Sequence, residues 1–243
     1  MLMQECLMPQ SALSCTHSGS QGFGMKYRLL CGLLALGVSL AGCDNAPQHP
    51  DDLPWQVTLS SQGNPQVFHL EVGKSTLKDA IEHIHDFPET AVFAHESGKR
   101  TLEAYFGKQK IGLFDAKIVL DLQIDDALLT KFQQNTTKHE GMASGMWKHT
   151  LAEGDVQVAN GLPIRKLVYI PSVDYSADII TARFGEPAER LSSSASGVEL
   201  WCYPAKGLLI ALDSDGADIF YYTTQANYPV LKKELLEAKP QHD

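Results

Sequence analysis

After residue 43 the sequence holds a single cysteine, no apolar run long enough to span a bilayer and fewer bases than acids. One cysteine cannot close an intramolecular disulfide, so a cystine-stapled scaffold is excluded. Without stretches of about 20 apolar residues the chain is not a polytopic membrane protein. Lys and Arg number 20 against 29 Asp and Glu, giving a net charge of −9 and a pI near 5.4. No nucleic-acid partner is expected, because a sequence-independent grip on phosphates needs clustered Lys and Arg. The same balance disfavours a basic membrane-surface patch. What is present is ordinary: 243 residues, 44% hydrophobic, with a mean hydropathy of −0.15. That composition suits one or two globular domains and excludes collagen-like and disordered classes.

Residues 25–43 read MKYRLLCGLLALGVSLAGC. Lys26 and Arg28 make a short positive head, and Leu29 to Ser39 an apolar stretch too short to be a good span, which is signal-peptide anatomy. Leu40-Ala41-Gly42-Cys43 resembles the bacterial lipobox. The resemblance implies diacylglyceryl transfer to Cys43, cleavage between Gly42 and Cys43, and acylation of the new amino terminus. Several acyl chains give a stable membrane anchor where one would be marginal. Asp44 and Asn45 resemble the signal that retains a lipoprotein in the inner membrane, so the expected location is the periplasmic face of that membrane. Residues 1–24 precede a complete signal that starts at Met25, and read as an over-extended gene start.

Cys6, Cys15 and Cys31 would leave with the signal, and Cys43 would be acylated. Cys202 remains, in the strand-like run Leu200-Trp201-Cys202-Tyr203. With no CxxC partner and no basic neighbour to lower its pKa, it reads as a small buried apolar residue. Residues 43–54, rich in proline and polar side chains, read as a tether. Order is expected from Trp55, with QVTLS and QVFHLEV as strands on either side of a Gly63-Asn64-Pro65 turn.

An internal repeat organises the rest. In the first copy Thr76 opens a helix with Asp79 in capping-box spacing, and Leu77, Ala80, Ile81 and Ile84 form its apolar face. The helix stops at His85-Asp86-Phe87-Pro88. TAVFAHE, a Ser97-Gly98 turn, TLEAYFG and a Gly112-led LFDAKIVLDL follow as a meander. In the second copy Ala177, Ile180 and Phe184 mark the helix, which stops at Gly185-Glu186-Pro187. AERLSS, a Ser196-Gly197 turn, VELWCYP, a Gly207-led LLIALD, an Asp215-Gly216 hairpin and DIFYY follow. Between the copies, Asp125 to about Lys138 reads as an amphipathic helix through Leu128, Leu129 and Phe132. HEGMASGMW (139–147) reads as a loop, KHTLA and LPIRKLVYIP as strands, and Tyr228–Ala238 as a closing helix. The expected fold is α+β, two tandem helix-plus-antiparallel-meander modules at 55–140 and 141–243, the first carrying the connecting helix.

Chemical motifs are sparse. Gly73-Lys74-Ser75-Thr76 ends like a phosphate loop, but Phe68 stands where the leading glycine is needed, so it reads as the start of a helix. His83, His85 and His95 have no HExxH or Cys–His spacing, and no metal or cofactor is expected. Asp213-Ser214-Asp215-Gly216-Ala217-Asp218 places oxygens like the start of a calcium loop without its terminal glutamate, which suits an Asp-Gly hairpin. The serines at 192–194 and 196 lack a GxSxG elbow. Adjacent Tyr221 and Tyr222 must point to opposite faces of one strand, leaving one available to a partner.

Gly185, Pro187, Trp201 and Tyr203 carry a resemblance to the SmpA/OmlA family, the small lipoprotein of the outer-membrane β-barrel assembly machine. It covers about 50 residues of the second copy; the first has Asp86-Phe87-Pro88 in place of Gly-x-Pro. A tandem pair of such units is also similar to the β-lactamase-inhibitor protein, which binds proteins on a concave sheet. The resemblance implies a binding role, while Asp44 argues against residence in an outer-membrane machine. The expected function is therefore a non-catalytic, lipid-anchored periplasmic lipoprotein that binds another envelope protein. The alternatives are a small-ligand or glycan binder with its cleft between the modules, and an enzyme whose site is assembled from distant residues. Cys43 is the one residue assigned a site role, flanked by Gly42 for cleavage and Asp44 for sorting.

Overall fold

The computed structural model describes residues 52–192, 198–213 and 217–237, which belong to one compact unit, Ala46–Asp243. Gly42, Cys43 and Asp44 lie outside the described residues, as do Ser193, Ser194, the Ser196-Gly197 turn and the Asp215-Gly216 hairpin. The fold is α+β, with antiparallel strand pairing throughout.

A three-stranded sheet opens the domain, formed by β1 (Thr58–Leu59), β2 (Pro65–Val67) and β3 (Leu70–Glu71). QVFHLEV is thus two short strands rather than the one expected. Phe68 and His69 turn the chain between them at φ of 50° and 54°. A bulky residue at positive φ is costly; here Phe68 is buried, stacked on Tyr169 at 5.4 Å and edge-on to Tyr222 at 6.2 Å. Packing holds a turn that no glycine announces.

Helix α1 (Leu77–Ile84) begins as its sequence says. The Thr76 hydroxyl accepts from the Asp79 amide and the Asp79 carboxylate accepts from the Thr76 amide, a closed capping box. Leu77 and Ala80 are buried, and His85 ends the helix in the left-handed conformation. Then come β4 (Glu89–Ala94), β5 (Arg100–Ile111), β6 (Phe114–Leu122) and α2 (Asp126–Gln134), the last capped by the Asp125 carboxylate on the Leu128 amide.

The expected loop at 139–147 is instead a hairpin, β7 (Lys138–Gly141) and β8 (Trp147–Thr150), docked on β4. A short helix without a side-chain cap, α3 (Glu153–Ala159), follows where the sequence carries no helix signal. β9 (Ile164–Pro171) leads to α4 (Ala177–Phe184), capped by Ser176. Strands β10 (Glu189–Ser192), β11 (Glu199–Tyr203), β12 (Leu208–Leu212) and β13 (Ile219–Thr223) and helix α5 (Tyr228–Glu237) complete the chain.

All ten strands from β4 onward form one sheet, ordered β10-β11-β12-β13-β9-β6-β5-β4-β8-β7. Its two faces have different covers. One carries Leu102, Ile118, Leu120, Leu167, Trp201, Ile210, Phe220 and Tyr222, buried with Leu77 of α1, Leu129 and Phe132 of α2, and Ile180 and Phe184 of α4. The other carries Leu200, Cys202, Leu209 and Ala211, buried with Tyr228 and Leu231 of α5. Tyr221 and Tyr222 do point to opposite faces. Tyr222 is buried and its hydroxyl donates to the Pro54 carbonyl at 2.6 Å, while Tyr221 is half-buried beside Leu209 and Val168.

Candidate functional site

The ten-stranded sheet joins its two meanders where β9 lies between β6 and β13, and α5 crosses that junction. A groove open to solvent lies there, lined by Asp121, Arg165, Lys166, Thr223, Asn227 and, from α5, Glu234 among others. Its geometry starts from a bulge. Asp121 pairs with Lys166 in the β6–β9 register, but the next residue, Leu122, pairs with Ile164, leaving Arg165 as the extra residue. A bulge re-aims side chains, and here both Arg165 and Lys166 reach one carboxylate. Asp121 is almost fully buried; it accepts from Arg165 through Nε at 3.3 Å and through Nη2, and meets Lys166 Nζ at 3.4 Å.

Glu103 sits opposite Asp121 on β5. Burial pushes its carboxyl above the usual range, the Asp121 charge adds to that, and Lys166 opposes it. The Thr101 hydroxyl donates to it at 2.9 Å. At the rim Lys99 pairs with Glu234 at 2.8 Å. Three cations therefore meet three carboxylates, so the groove's charge is largely spent on the fold rather than presented to a ligand.

The sheet's outer hairpin differs. β7 is an edge strand whose four residues are all exposed. Trp147 is 49% exposed, and the His139 ring lies 5.9 Å from it and 6.1 Å from His149. Met142 is also exposed at the tip. Burial lowers the His149 pKa, with the neighbouring His139 adding to the effect. Lys148 pairs with Glu89 at 2.7 Å and Lys138 with Glu140 at 2.7 Å, on either side of this aromatic cluster.

Lys74 pairs with Glu71 at 3.3 Å, and Ser75 accepts from the Glu71 amide, which makes this segment a turn into α1. His83 Nε2 lies 2.6 Å from buried Asp52, with His69 3.3 Å away on the other carboxylate oxygen. Among the described residues no group of three or more His, Cys, Asp or Glu is arranged to hold a metal ion. Cys202 is buried, and burial pushes its thiol up. Tyr203 donates to the Gly185 carbonyl at 3.0 Å, and Arg190 lies 4.0 Å over Trp201. Sequence reasoning missed the β7–β8 hairpin and the Asp121–Arg165 pair, whose partners lie 44 positions apart with no local signal. No helix among the described residues is long and apolar enough to cross a membrane. Set against protein-family models, characterised proteins and solved structures, the chain finds no match.

Proposed function

We propose that this protein is a lipoprotein anchored through Cys43 at the periplasmic face of the inner membrane, where it binds another envelope protein without catalysing a reaction. The anchor rests on residues 25–43 read as signal and lipobox. The binding role is carried by one observation: the β7 edge, which no other described strand pairs, with Trp147 half-exposed beside His139 and with Lys138 and Lys148 each paired to an acid. An edge strand offers backbone donors and acceptors to an incoming strand, and an exposed tryptophan is a favoured anchor.

We read the domain as two tandem modules fused through one sheet, the first running through β9 rather than ending at residue 140, since β8 and β9 pair with β4 and β6. Its central order, β4-β5-β6-β9 followed by β13-β12-β11-β10, supports this, because the second half mirrors the first about the β9–β13 pair. The caps Thr76 and Ser176, the helix starts Leu77 and Ala177, and the strand starts Glu89 and Glu189 each lie 100 residues apart.

The test is a photo-crosslinking amino acid at His139 in the lipidated protein in living cells, with a second at Gln225 as control. A discrete envelope protein captured at 139, absent at 225 and lost in Trp147→Ala, is the expected result. Equal capture at both positions, or none at 139, would overturn the binding role. Fractionation of Cys43→Ser tests the anchor separately: a folded protein released from the membrane is expected.

A further inference from the structure

We propose that the tip of the β5–β6 hairpin faces the bilayer, seating Leu113 among the lipid headgroups and Lys108, Lys110 and Lys117 against their phosphates. The proposal rests on the Cys43 anchor and adds the orientation of the domain above the membrane. Three observations converge on it.

The first is where the chain enters the domain. A Cβ built on Gly112, at the hairpin tip, would lie 2.1 Å from the Asp52 carbonyl oxygen, so the backbone of residue 52 packs directly on the tip. Trp55 stays close, 5.7 Å from Phe114. Eight residues separate Cys43 from Asp52. Fully extended, they span at most about 30 Å. The twelve-residue strand β5 runs from the tip to the opposite end of the sheet, about 36 Å at ~3.3 Å per residue. An inverted domain would lift Asp52 beyond the reach of its own tether.

The second is apolar exposure at this end. Leu113 is 62% exposed at the tip, and Phe87, just ahead of β4, is 84% exposed. Phe87 is held beside the hairpin because Gln109 donates to Asp86 at 2.6 Å.

The third is charge. A register shift between Tyr105 and Lys108, with Gly107 at φ 68°, turns Lys108 and Lys110 to the face that carries Lys117. All three are exposed, and the one acid between Lys108 and Lys117 in the chain, Asp115, is paired to Lys108 at 3.0 Å. In a chain of net charge −9 this hairpin is a local cationic exception. Apolar tips flanked by lysine suit a membrane interface rich in phosphate.

The test uses the full lipidated protein in vesicles of phosphatidylethanolamine with a quarter phosphatidylglycerol. Leu113→Cys and, at the far end, Ser97→Cys each carry an environment-sensitive fluorophore. Labelling is site-specific because Cys202 is buried. A lipid-borne quencher should reduce emission at 113 several-fold more than at 97. Replacing Lys108, Lys110 and Lys117 with Glu should reduce that difference when the vesicles are anionic. Equal quenching at both sites, with the protein still vesicle-bound, overturns the orientation and leaves the anchor standing. Absence of acyl chains by intact mass overturns the anchor, and the orientation with it.

Discussion

At the scale of single residues, Glu103 carries a measurable cost. Its folded pKa lies above the ordinary carboxylate value of 4.5, chiefly because it is buried. The native state therefore holds its proton more tightly than the unfolded chain. That contribution to stability is present below 4.5 and is lost as pH rises toward the folded value. Glu103→Gln keeps an acceptor for Thr101 and removes the buried charge. It should raise the melting temperature at pH 7 by about 2–4 °C, the response of a domain this size to roughly 1 kcal/mol. The gain should vanish near pH 4, and a pH series of calorimetric scans reads both. Gly112→Ala is the opposite case, combining positive φ with a Cβ in the Asp52 carbonyl. It should cost at least about 1–3 kcal/mol, read as a lower denaturant midpoint. Neither effect could be read from sequence. Gly112 was legible as the start of a strand, but the residue it must accommodate lies sixty positions away. The α1 cap, by contrast, was fully legible, because Thr76 and Asp79 make their bonds with each other.

At the scale of elements, the segments that escaped the sequence reading are those held by docking. HEGMASGMW has two glycines and few β-formers, yet Gly141 and Trp147 face each other across a hairpin whose second strand pairs with β4. α3 has seven residues and no side-chain cap, and only its packing makes it a helix. The β7–β8 hairpin should accordingly be pH-sensitive. The folded pKa of His149 is lowered, first by burial and then by His139. Its stabilising contribution is thus present above the ordinary value of 6.5 and is lost as pH falls below it. Amide protection across 138–150, corrected for intrinsic exchange, should drop between pH 7 and pH 5.5 while that of β12 stays level. His139→Ala should lessen the drop, and an unchanged drop would remove His139 as its cause.

At the scale of the whole molecule, two meanders share one sheet, and the joining strand decides whether either can stand alone. β9 pairs with β6 along one edge and with β13 along the other. The leading segment makes a second tie: Trp55 meets Phe114 of the first half, and Phe184 and Arg183 of the second. Tyr222 of β13 also holds the Pro54 carbonyl. A fragment ending before residue 164 would leave β6 as an open apolar edge, and one starting after 171 would do the same to β13. The halves should therefore unfold together. Cys202 offers a built-in probe, since its thiol is buried in the second half and reacts only when that half opens. In a denaturant series, the midpoint for Cys202 labelling should coincide with that of Trp147 emission from the first half, in a variant whose Trp55 and Trp201 are replaced by Phe. Two separated midpoints would mean that the β9–β13 seam is weaker than the two halves of the sheet it joins, and that they behave as two domains in contact.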